Sequence, residues 1–260
     1  MKFGCCAALE LYKKVADAGY EYIEVPGWQL AELSAGDFKR VKEAVLNGPI
    51  PCYGVNSYAK VQPKMVGESF DPRKVADYAE LVMLRASALG AKTVGIGAPG
   101  LRKTPSTYDA KKAWEQAKSF LTITADVARK YDITILFESI HEHACDFCTL
   151  VDETYEMVKE LNLPNVKMVI DFYHLKAMGT DLFDTEKYKD VTAHMHISGF
   201  GENYSRPQLT EKDYDELVRI FKSVSWYDGT FSNESDNSNF DIEGKKSLDL
   251  LKRAYAEANK

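Results

Sequence analysis

No run of 18 apolar residues occurs in this chain, so no segment offers the length a membrane-crossing helix needs. Its first residues, Met1-Lys2-Phe3-Gly4-Cys5-Cys6, contain neither an apolar signal region nor a small-residue cleavage site. The expectation is a soluble cytoplasmic protein with no membrane partner. Clustered basic charge is missing too: 33 lysines and arginines are scattered through a chain of net charge −6. Nucleic-acid binding usually needs a basic stripe, so no such partner is expected. Cysteines number five, an odd count that suits reduced thiols better than a disulfide framework. Neither a G-x-G-x-x-G fingerprint nor a P-loop appears. The segment Gly95-Ile96-Gly97-Ala98-Pro99-Gly100 has the wrong spacing, and its proline interrupts any helix start. Dinucleotide and nucleotide chemistry are thereby disfavoured.

What is present is a regular alternation. The 260 residues are 45% hydrophobic, enough for a sizeable core. Short β-branched or aromatic runs predict strands at residues 2–6, 22–25, 53–57, 93–96, 133–137, 166–170, 194–197 and 230–233. Between them lie amphipathic stretches with helix signals. Asp71-Pro72 gives an N-cap followed by proline at the first helical position, and Gly19 and Gly90 sit where C-caps belong. Thr149-x-x-Asp152 and Thr210-x-x-Asp213 have the spacing of capping boxes. One strand–helix unit about every 30 residues, eight in all, without a composition break, predicts an α/β fold. The architecture expected is a (β/α)₈ TIM barrel forming one domain over residues 1–260.

In such a barrel the residues at the C-terminal ends of strands face the active site. Those ends supply Glu24, Asn56, Arg102 (shortly after strand four), Glu138, Asp171 with His174, His196 and Glu234. Glu138, Asp171, His196 and Glu234 come from strands five to eight, which are neighbours around half of the mouth. Three carboxylates and one imidazole suit Mn²⁺, Mg²⁺ or Co²⁺, with Zn²⁺ a further option that usually takes more nitrogen or sulfur. The plain structural alternative is a set of isolated polar residues bound to backbone amides. Asp171 in particular reads equally well as the N-cap of the helix that follows.

The chain resembles a known group on Phe3-Gly4-Cys5, Gly19-Tyr20-x-Tyr22-Ile23-Glu24, Val55-Asn56, Ala88-Leu89-Gly90-Ala91-Lys92, Ile135-Leu136-Phe137-Glu138, Asp171-x-x-His174, His194-x-His196 and Tyr227-Asp228-Gly229-x-x-x-x-Glu234. In order and spacing these are similar to the sugar phosphate isomerase/epimerase group of xylose isomerase-like TIM barrels. That group holds ketose 3-epimerases, hydroxypyruvate isomerases, inosose dehydratases and, more distantly, endonuclease IV enzymes. The resemblance implies a divalent metal ion held by Glu138, Asp171, His196 and Glu234, with Glu138 and Glu234 also moving protons. It implies that His174 and an arginine, best matched by Arg206, orient the substrate. The implied activity is isomerisation or epimerisation of a keto sugar or small hydroxyketone through an enediolate.

Other features carry weaker expectations. Trp28 and Tyr58 follow strands two and three and could wall a sugar pocket, and Arg102 could read a phosphate. His141, His143, Cys145 and Cys148 form a compact cluster after Glu138, where the chain departs from the family pattern; an altered substrate pocket explains it better than a separate Zn²⁺ or redox site. His194 shares a strand face with His196 but lies deeper, as a satisfied interior histidine or a partner of the site. Three alternatives stay open: a dehydratase or lyase of a cyclic polyol ketone, an endonuclease IV-like phosphodiesterase, and a barrel that binds sugar or metal without turnover. Only five histidines, none before His141, weigh against the phosphodiesterase, whose metal cluster needs more. A homo-oligomer is compatible with all of these readings.

Overall fold

The computed structural model describes residues 1–260. Eight parallel strands, β1 (Lys2–Cys6), β2 (Tyr22–Pro26), β3 (Cys52–Asn56), β4 (Thr93–Ile96), β5 (Thr134–Glu138), β6 (Val166–Asp171), β7 (Thr192–Ile197) and β8 (Thr230–Asn233), close in sequence order into a barrel. Around it lie α1 (Tyr12–Ala18), α2 (Gly27–Glu32), α3 (Ala35–Leu46), α4 (Pro72–Ala88), α5 (Ala110–Arg129), α6 (Val151–Leu161), α7 (Phe172–Ala177), α8 (Tyr214–Ser223) and α9 (Phe240–Ala258). The TIM barrel expected from the alternation is what forms. No helix is long and apolar enough to cross a membrane.

Local chemistry explains the element ends. The Asp71 carboxylate accepts the Arg73 N–H at 3.0 Å and Pro72 opens α4, while Gly90 follows it with φ of 88°. Thr210 and Asp213 form the expected box, the Thr210 N–H donating to Asp213 Oδ2 at 2.8 Å. The box expected at Thr149 and Asp152 shifts instead. Leu150 is the N-cap of α6, and Glu153 accepts both the Thr149 and Leu150 N–H groups at 2.9 Å. Glu153 reaches back to both donors, so Asp152 is left to the Tyr188 hydroxyl at 2.5 Å. α2 had no sequence signal, because Pro26-Gly27 reads as a turn; there Gly27 admits the Tyr58 backbone, which a Cβ would meet at 2.7 Å.

Register positions the mouth. Asp171 pairs with His196 and Ile197 with Asn233, so Glu234 emerges one residue beyond β8 at the same level. A register shift between Met168 and Val169 brings His194 and His196 onto the barrel interior. Pairing of Ile96 with Phe137 leaves Gly97 facing Glu138.

Candidate metal centre and active site

The ligand atoms of Glu138, Asp171, His196 and Glu234 all lie within 4.8 Å of one another. His196 Nδ1 faces this group, 3.3 Å from Glu138 Oε1 and 3.4 Å from Glu234 Oε2. Asp171 is the N-cap of α7, as its position allowed, and its second oxygen faces the cluster. Its Oδ1 accepts the Tyr173 N–H at 2.9 Å and caps α7, while Oδ2 faces His174 Nε2 at 3.6 Å and pairs with Arg206. Arg206 also donates through Nη1 to Glu234 Oε2 at 2.5 Å, and its guanidinium lies over the Tyr173 ring at 4.2 Å. Asn56 donates to Glu234 Oε1 at 2.9 Å, and its own buried Oδ1 has no partner.

Crowding divides the charge unevenly. Burial, opposed by Arg206 and reinforced by Glu138 and Glu234, pushes the Asp171 carboxyl up to about 6. Burial acts on Glu234 in the same sense, but Arg206 and His196 outweigh it and hold that carboxyl well below its usual range. Burial, with Arg206 adding to it, holds His174 well below the usual imidazole value, so the ring is neutral at pH 7. Its Nδ1 accepts the His141 N–H at 3.3 Å, which puts the ring proton on Nε2, directed at the cluster.

Three acceptor carboxylates and an imidazole with its Nδ1 turned toward them make a donor set that fits a hard or borderline divalent cation. Two of the four, Glu138 and Glu234, border a cavity of about 140 Å³ lined also by His174, Arg206, Gly97 and Ala144. A larger hollow of about 320 Å³, by Gln208, Glu211 and Lys246, is lined by none of the four.

Three expected substrate contacts, Arg102, Trp28 and Tyr58, lie elsewhere. Arg102 is 0% exposed. It donates to the carbonyls of Ile96 at 2.6 Å and Cys148 at 3.4 Å and stacks on Phe137 at 4.5 Å. The loop after β5 is long and buries its own carbonyls, so the guanidinium satisfies backbone and does not line the cavity. Arg102→Met is therefore expected to lower stability by about 2–4 kcal/mol without changing metal affinity, as urea denaturation and a metal titration will show. Trp28 turns to a surface hollow with Lys60, whose Nζ lies 3.8 Å from the ring centroid, and it does not line the cavity. Tyr58 is fully buried against Phe120 and Tyr78.

The cysteine–histidine cluster is also split. Cys145 and Cys148 are buried, while His143 is exposed and stacks on Tyr204 at 4.0 Å. His141 packs against His174, with ring centroids 5.1 Å apart, so this loop forms a wall of the mouth.

Gly97 carried no sequence signal as a polar strand end, although the register of β4 and β5 points to it. A Cβ there would collide with the Glu138 carboxylate. Gly97→Ala should displace that carboxylate and lower any turnover about 100-fold with the melting transition retained, which kinetics and a thermal melt will check.

The chain is 27% identical over 183 residues to an inosose isomerase of Halalkalibacterium halodurans. That match spans 64% of this chain and 62% of the relative, so it covers less than two thirds of the relative's length. A D-psicose 3-epimerase from Clostridium cellulolyticum, solved with D-tagatose, superposes with a TM-score of 0.82 at 17% identity over 98% of this chain and 99% of that one. An IolI protein with a bound zinc atom superposes with a TM-score of 0.71 at 19% identity, over 99% of this chain and 98% of that one. At these identities the solved structures speak to the fold. The family model described as xylose isomerase-like TIM barrel matches residues 12–254, and the protein belongs to that family.

Proposed function

We propose that this protein is a divalent-metal-dependent sugar isomerase or epimerase that enolises a keto sugar or small hydroxyketone. The observation that carries the reading is the meeting of Glu138, Asp171, His196 and Glu234 within 4.8 Å at one barrel end. These four residues would hold the ion, with Mn²⁺, Mg²⁺ or Co²⁺ best matched to the set and Zn²⁺ also within its reach. When bound, the cation would supply the Lewis acidity that stabilises an enediolate.

The protein's own groups do the rest. One of Glu138 and Glu234 removes the proton α to the carbonyl, and the other returns a proton to the opposite face, inverting that carbon. Return to the adjacent carbon instead gives aldose–ketose isomerisation. Neutral His174 presents Nε2–H as a donor to the carbonyl end of the substrate. Arg206, at the cavity wall, holds a substrate oxygen, while Asn56, which does not line the cavity, holds the Glu234 carboxylate through its amide N–H.

Similarity to an inosose isomerase favours a cyclic polyol ketone within the substrate class. The choice is tested with metal-loaded protein, a panel of ketoses and an inosose, and product analysis by NMR. Isomerised or epimerised product supports the reading, loss of water from the substrate supports a dehydratase, and tight sugar binding without any product supports a binding barrel. Three metal ions per chain would point to a phosphodiesterase instead.

A further inference from the structure

Beneath the acidic cluster the barrel interior is polar where branched aliphatic side chains normally fill it. Glu24, 2% exposed, accepts at Oε1 from His194 Nε2 at 2.7 Å and also from the Ser232 hydroxyl. His194 Nδ1 lies 2.7 Å from Thr230 Oγ1, and the Tyr22 and Ser232 hydroxyls are 2.9 Å apart. His194 and Ser232 thus contact the carboxylate directly, and Thr230 and Tyr22 hold those two in turn. Two neighbouring strands make room for them. A Cβ at Gly4 would collide with the Tyr22 ring, and one at Gly54 would sit 3.0 Å from Glu24 Oε2.

Stability does not explain this arrangement. A buried charge with its partners is commonly no more stabilising than well-packed apolar residues of the same volume. The network has one neighbour that links it to the site. His196 Nε2 lies 3.6 Å from Glu24 Oε1 and 3.8 Å from Cys6 Sγ, while the other ring nitrogen faces Glu138 and Glu234. Glu24, Cys6 and His196 are close enough to be mistaken for a second ligand trio. Glu24 is already committed to His194 and Ser232, however, which suits an anchor better than a ligand.

We propose that Glu24 is a positioning residue: a buried anion, held by His194 and Ser232, that keeps the His196 ring oriented with Nδ1 toward the carboxylates and thereby sets the metal affinity of the cluster. The proposal rests on the metal-dependent reading above. An anion beside Nε2–H favours the tautomer whose Nδ1 lone pair is free for a cation, and it raises the basicity of that lone pair. Glu24 touches no substrate and moves no proton in the reaction.

The test is a calorimetric Mn²⁺ titration of the full-length wild type, Glu24→Gln, Glu24→Asp and Asp171→Asn, with cooperative melting of each metal-free protein as the fold control. Glu24→Gln is expected to bind Mn²⁺ about 10–100-fold more weakly. Glu24→Asp keeps the charge but withdraws it from His196, with an expected loss near the low end, about tenfold. Undiminished affinity in either folded variant overturns the positioning role. If Asp171→Asn loses Mn²⁺ while the Glu24 variants keep it, only this inference fails. If the wild type takes up no Mn²⁺, or Asp171→Asn takes it up equally well, the proposed function fails with it. A measurement on the wild type needs no substitution: long-range ¹H–¹⁵N spectra with Zn²⁺ should show His196 protonated at Nε2. A proton on Nδ1 would overturn the proposal.

Discussion

Glu138→Gln and Glu234→Gln should each lower turnover by about 10²–10⁴-fold, the usual weight of a positioned acid or base. The reason is specific to this pair. Glu138 and Glu234 belong to the same cluster and line the same cavity, so each is in reach of both cation and substrate. A glutamine keeps one oxygen for the cation but has no site that can take a proton at neutral pH. The variants should therefore retain metal, as elemental analysis will show, and fail in chemistry. Asp171→Asn should fail differently. Its carboxylate is committed to α7 and Arg206 and has no assigned proton-transfer role, so the loss should appear first in metal affinity. Unchanged turnover in both glutamine variants would remove the proton-transfer pair from the proposal.

Stripping metal with a chelator should abolish activity and lower the thermal midpoint by about 5–10 °C relative to protein at a hundredfold excess of cation over its dissociation constant. Two like charges about 4 Å apart cost roughly 4 kcal/mol at an effective dielectric near 20. Here three carboxylates and an imidazole share ligand atoms within 4.8 Å, and Arg206 is the guanidinium that pairs with them. Burial raises the Asp171 carboxyl to about 6, and the charges of Glu138 and Glu234 add to the shift against the opposing Arg206. A divalent cation would relieve that repulsion, and its binding to the folded chain would appear as added stability. Activity should return with Mn²⁺ or Co²⁺, and Asp171→Asn should show little of the stabilisation. Activity that survives complete chelation would contradict the metal requirement.

The barrel was legible because each β-branched run is short and followed by a capped amphipathic stretch, a pattern that side-chain alternation and turn chemistry encode locally. Residues 93–96 and 230–233 are strands as expected from that pattern. The four acidic and imidazole residues were legible because parallel strands end at one mouth, so a position in sequence converts directly to a position in space. What the pattern could not resolve depends on side-chain direction. Arg102 lies one 3₁₀ turn after β4, and only its buried bonds to Ile96 and Cys148 reveal that it turns inward to backbone. Trp28 sits on α2, a helix hidden behind a Pro-Gly turn signal, which carries the ring toward Lys60. Gly97 contributes by lacking a side chain, and such a contribution appears only when the register with Glu138 is known.

Wash-in of solvent deuterium tests the central claim most directly. Metal-loaded protein would be incubated with a ketose or inosose substrate in D₂O, and the reacting carbon followed by NMR. Enolisation by a glutamate pair places solvent deuterium on that carbon of the product during turnover, and labelled product should vanish in Glu138→Gln and Glu234→Gln. Product formed with its original hydrogen retained would contradict proton transfer through an enediolate.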